Sequence, residues 1–86
     1  MTLHFLNWAF NAPVETPSQL AVLLVVAGLA DQDGKLAILR HRLAEKTRVR
    51  RDKIEEVIDS LQELGLLSTF DPHDWDKVGV CLRAGE

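Results

Sequence analysis

Seven of the ten basic residues fall within fourteen positions: Arg40, Arg42, Lys46, Arg48, Arg50, Arg51 and Lys53. Guanidinium and ammonium groups gathered this closely suit phosphate, which arginine grips with two donors and lysine meets as a point charge. The chain then turns acidic. Asp52, Glu56, Asp59 and Glu63 recur at i, i+4, i+7 and i+11, which places them on one side of a helix turning about 100° per residue. Four carboxylates in a line repel phosphate and match either a basic protein surface or the charge pattern of a DNA backbone. Each set also has a plain reading: a solvated face, with the bases neutralised by Glu45, Asp52, Glu55 and Glu56 through helical pairs.

Other chemistries find little support. His73, Asp74 and Cys81 fall short of the four ligands of a structural zinc site. Asp31-Gln32-Asp33-Gly34 opens like a calcium loop, but Lys35 and Arg42 occupy the fifth and twelfth positions, where acids or oxygen donors belong, so the segment is a turn. No nucleophile-and-base arrangement, phosphate-cradling glycine loop or carboxylate pair is recognisable, so a non-enzymatic protein without cofactor is expected. The single Cys81 excludes an internal disulfide. With no secretory signal and no apolar run beyond eleven residues, against roughly 20 for a membrane span, a cytoplasmic protein off the membrane is expected.

The average charge of −3 hides three zones. Residues 1–30 hold one acid and no base, 31–53 hold eight bases and four acids, and 54–86 hold eight acids and two bases, giving −1, +4 and −6. Phosphate binders are ordinarily basic overall, and only the middle zone fits. Hydrophobic residues at 47% with 27% charged ones indicate a single folded domain over residues 1–86 rather than a disordered segment.

The elements that would carry these residues follow from local signals. Leu3, Phe5, Leu6, Trp8 and Phe10 form an apolar packing arm, helical or extended, over residues 1–13. Thr16-Pro17-Ser18-Gln19 combines an N-cap hydroxyl, a first-turn proline and a capping-box glutamine, so a helix starts at Pro17. Its Leu20, Val22, Leu23, Leu24, Val25, Val26 and Leu29 leave almost no polar side, so neighbours must surround it. A second helix is predicted over residues 37 to about 46, with room for a short strand at 35–36 before it. A third is predicted over residues 51 to about 64, its face made by Ile54, Val57, Ile58, Leu61 and Leu64, with Gly65 as its C-terminal cap. Residues 66–70 and 77–83 are β-prone around a turn-rich loop, and Val78, Val80 and Leu82 alternate. The expected fold is mainly α with a small β-hairpin: a three-helix core over 17–64 and a wing over 66–83.

The pieces "LNWAF", "LAVLLVVAGLADQDGKL", "LAEKTRV" and "IEEVIDSLQELGLL", in that order, resemble the winged helix-turn-helix domain of phage, plasmid and bacterial replication and regulatory proteins. The resemblance covers roughly residues 6–68. It implies a DNA-binding module whose third helix enters the major groove while the wing touches the backbone. Thr47 and Val49 keep that family's turn, and Ile54 and Leu61 its core. Arg48, however, stands where the family has glycine, Arg50 where it has an N-cap serine, and Lys53 where it has threonine. Asp71, Asp74 and Asp76 replace the bases usual at the wing tip.

Two functions are therefore expected from the sequence. In the first, a regulator of transcription or an accessory of DNA replication binds double-stranded DNA through Arg40, Arg42, Lys46, Arg48, Arg50, Arg51 and Lys53, as a homodimer joined through the N-terminal arm. In the second, the same fold binds a host protein through Asp52, Glu56, Asp59, Glu63 and Trp75. Trp75 is expected to fold back on the hairpin, and Trp8 to serve the core or a dimer contact.

Overall fold

The computed structural model describes the backbone of residues 3–83 and the side chains of residues 5–83. Among these residues, four α-helices and a three-stranded antiparallel sheet share one core. The order is α1 (Leu3–Phe10), α2 (Pro17–Leu29), β1 (Lys35–Leu39), α3 (Arg40–Thr47), a 3-10 turn (Arg51–Lys53), α4 (Ile54–Glu63), β2 (Leu67–Phe70) and β3 (Lys77–Leu82). Among the described residues no helix is long and apolar enough to cross a membrane.

The hub is α2. Val22, Leu23, Val26 and Ala27 are fully buried, and α1, α3, α4 and β3 all pack against it. Its start is held as the local signals predict. Thr16 Oγ1 accepts from the Gln19 backbone N–H at 3.1 Å, and Gln19 Oε1 accepts from the backbone N–H groups of Thr16 and Glu15 at 3.2 and 2.6 Å. The remaining donor of that side chain reaches another element: Gln19 Nε2 donates to Ser60 Oγ of α4 at 3.0 Å, and Ser60 donates to the Val57 carbonyl at 2.7 Å. Gln19 is thus buried with its polar atoms paired, and it ties the α2 start to the flank of α4.

The N-terminal arm is a helix that belongs to the core. Ala9 is fully buried, and Phe5, Leu6 and Trp8 pack against the central cluster. Only Phe10 of its described aromatic residues points largely to solvent.

Residues 35–39 form a strand, so the second helix starts at Arg40, three residues later than its predicted start. Leu36 and Ile38 alternate toward the core, opposite Val80 and Val78 of β3, and this register satisfies their backbone through the sheet. The β-structure is consequently a sheet of order β1-β3-β2 and not a lone hairpin. The third helix also begins differently. Neither Arg50 nor Lys53 supplies a side-chain cap, and the first turn tightens into 3-10 geometry, with the Lys53 N–H donating to the Arg50 carbonyl at 2.9 Å. At its far end Gly65, at φ +76°, closes a Schellman motif, its N–H donating to the Gln62 carbonyl and that of Leu66 to Leu61.

In the hairpin, Phe70 lies opposite Gly79, and its ring occupies the space a side chain at 79 would need. A Cβ there would stand 2.5 Å from the Phe70 carbonyl oxygen and 2.9 Å from the ring.

The tether between α2 and α4 yields a stability expectation. Gln19→Ala strands the backbone donors of Glu15 and Thr16 and removes the bond to Ser60, and should destabilise the fold by about 2 kcal/mol in urea unfolding. Ser60→Ala removes the bond accepted from Gln19 and the one donated to the Val57 carbonyl but leaves both capping bonds in place, and should cost about 1 kcal/mol; equal effects of the two would show that the capping bonds contribute nothing.

Candidate nucleic-acid interface

The basic block divides into three environments. Arg40 is a brace. Its Nε donates to Glu55 Oε1 of α4 at 2.9 Å, its Nη1 donates to the Trp75 carbonyl, and its backbone N–H donates to the Asp76 carbonyl at 3.0 Å. With its side chain 31% exposed, Arg40 fastens the start of α3, the flank of α4 and the hairpin loop together.

Arg50 and Lys53 form a second group. Arg50 pairs with Asp52 at 3.0 Å, and Lys53 with Glu56 at 3.2 Å, but all four side chains are at least half exposed. Pairs of this kind contribute about 0–1 kcal/mol, so a phosphate can replace the carboxylate at little cost.

The third group has no partner among the described residues. Among the described residues, Arg42, Lys46, Arg48 and Arg51 make neither an ion pair nor a side-chain hydrogen bond, and all four are exposed. On α3, Leu43 and Thr47 point into the core, which turns Arg42 and Lys46, one helical turn apart, to solvent. Arg48 and Arg51 follow in the connection to α4. These four cations converge on one turn and the outer side of the helix leading into it.

That turn is built by Thr47, buried at the C-terminus of α3. Its hydroxyl donates to the Leu43 carbonyl at 2.8 Å and accepts from the Val49 N–H at 3.3 Å, reversing the chain immediately after the helix. Arg48 takes the left-handed conformation at φ +62°, ψ +20°, which costs a residue with a Cβ about 1–2 kcal/mol. Asp52 is committed to Arg50 and caps nothing.

The acids are distributed differently from a single four-residue stripe. Because the α-helix proper starts at Ile54, Asp52 belongs to the 3-10 turn, and Glu56, Asp59 and Glu63 alone share the outer side of α4. Asp59 and Glu63 make no ion pair with a described residue.

The hairpin loop owes much of its acidity to backbone geometry. Asp71 Oδ1 accepts from the His73 N–H at 2.8 Å and Asp74 Oδ1 from the Asp76 N–H at 3.0 Å, two side-chain turns that fold residues 71–76. Trp75 is 84% exposed, contrary to the expectation that it folds back on the hairpin. Its carbonyl is drawn to Arg40 and the flanking turns fix the backbone, so the indole is left outside. Trp8, by contrast, packs against the core. Among the described residues no three His, Cys, Asp or Glu side chains are placed to hold a metal.

Two structural roles had no sequence signal: Arg40 and its partners lie 15 and 35 residues apart, and Gln19 and Ser60 lie 41 apart. Only the capping half of Gln19 is local.

Comparison with known protein families, curated proteins and solved structures finds no match to the chain.

The left-handed arginine generates a prediction. Arg48→Gly should raise stability by about 0.5–1 kcal/mol, glycine's release from steric strain being partly offset by its greater unfolded-state entropy. A thermal midpoint unchanged or lowered by the substitution would show that position 48 carries no backbone strain.

Proposed function

We propose that this chain is a winged-helix DNA-binding domain that grips the duplex backbone through the turn between α3 and α4. The observation that carries the reading is the group of four exposed cations, Arg42, Lys46, Arg48 and Arg51, gathered at that turn without a partner among the described residues. The order of elements supports it: a helix, a strand, two helices joined by a short turn, and a hairpin whose second strand pairs with the first strand of the chain. The positive φ of Arg48 also falls at the position where the family resembled in sequence carries glycine. The function proposed is that of a regulator or replication accessory of phage, plasmid or bacterial type.

Phosphates seat first against the four free cations, and Arg50 and Lys53 exchange Asp52 and Glu56 for phosphate as the duplex approaches. Arg50 and Arg51, at the entrance to α4, reach guanine edges from there. Glu56, Asp59 and Glu63 keep the rest of α4 out of the groove, because each stands among phosphates of its own sign. Arg40 stays outside the contact set and holds the platform. Association of two copies through the exposed Phe10 of α1 would double the number of phosphate contacts.

Binding of a 20-base-pair duplex should weaken steeply with salt, log K falling with log salt at a slope of roughly −3.6 to −5.4 for four to six phosphates. Arg51→Glu should lower affinity about tenfold and make the slope shallower by about one, whereas Arg83→Glu, outside the turn, should change it little. No detectable binding at low salt, or equal effects of the two substitutions, would sink the reading.

A further inference from the structure

A groove of about 240 Å³ runs between α4 and the β2–β3 hairpin. Ile58 of α4, Phe70 of β2, Pro72 of the loop and Val78 of β3 give it an apolar lining. Gly79 makes room for it, since the Phe70 ring spreads over the missing side chain. Of the two cations that line the groove, Arg40 is already paired with Glu55, which leaves Lys77. The acids outnumber it. Asp59 lines the groove, Glu63 follows one turn along α4, and Asp71, Asp74 and Asp76 stand exposed in the bordering loop. The turns made by Asp71 and Asp74 fix their carboxylates in place. Trp75, in the same loop, is exposed, and its carbonyl is bonded to the groove-lining Arg40.

An apolar trough with an acidic rim and an exposed aromatic disfavours DNA and complements a basic chain. We propose that this groove docks a lysine- and arginine-rich peptide segment of a partner protein. One aliphatic side chain of that segment sits between Phe70 and Val78, its bases face Asp59 and the acidic loop, and an arginine lies over Trp75. This surface shares no cation with the DNA contact set, so the two can be tested apart.

The probe is a labelled, end-capped nonapeptide of arginine and lysine with leucine at two central positions, and its counterpart with serine there, followed by anisotropy. The leucine peptide should bind about tenfold more tightly or better, the worth of burying one aliphatic side chain. Gln62→Trp, which fills the groove at constant charge, should erase that difference, and Thr69→Lys supplies an independent block should the first variant fail to fold. Asp59→Lys should weaken both peptides about fivefold. Equal affinity for the two peptides, or insensitivity of the leucine peptide to the groove variants, overturns the proposal. So does light scattering that finds a dimer lost on Asp59→Lys, which would assign the groove to a second copy of the chain.

Discussion

A helix with no polar side has to be enclosed, and α2 imposes that requirement on everything around it. Its thirteen residues contain two polar side chains, Ser18 and Gln19, both in the first turn. Whatever fold this sequence adopts must therefore cover the rest of that cylinder. The chain does so with α1 on one side, α3 and α4 on others, and the sheet completing the enclosure through Val80 and its neighbours. The covering elements are short, eight to ten residues per helix, and none is long enough to be stable alone in water. Burial against α2 gives each of them its position, and with it the position of every charge on the outer surface.

That arrangement explains how one small domain displays opposite charges side by side. The outer face of α3 and the turn after it carry cations because Leu43 and Thr47 occupy the inward positions, while the outer face of α4 carries acids because Ile54, Ile58 and Leu61 do. The two surfaces meet at the 3-10 turn, where Arg50–Asp52 and Lys53–Glu56 cross the boundary. Arg40 marks the other boundary, half-buried: a cation that looks like part of the block in one dimension is a structural rivet in three.

Much of the architecture was legible in the residue order because its signals are local. Thr16, Pro17 and Gln19 announce the α2 start, the spacing of Ile54, Ile58 and Leu61 announces α4, and Gly65 marks its end. The misplaced α3 start has a physical cause. The Ala-Ile-Leu run at 37–39 favours a helix by composition, and only pairing with β3, some forty residues downstream, makes it a strand. The charged residues of the candidate site were likewise visible as types and spacings. Their division into braced, exchangeable and free cations was not, because it depends on Glu55, Trp75 and Asp76, which the fold brings to Arg40 from distant stretches of chain. The exposure of Trp75 followed the same rule: the backbone turns on either side decided it, not the hydrophobicity of the indole.

The Phe70–Gly79 pair has a consequence for how this sequence can diverge. The carbonyl oxygen of residue 70 and its ring both stand in the space denied to a Cβ at 79. A lineage that acquired a side chain at 79 would have to displace the strand, since the carbonyl oxygen of residue 70 stands in the way whatever side chain that residue carries, and the shift would reshape the hollow beside α4. Among descendants of this chain, position 79 should therefore stay glycine whatever residue stands at 70, a trace left by the close backbone approach of two adjacent strands.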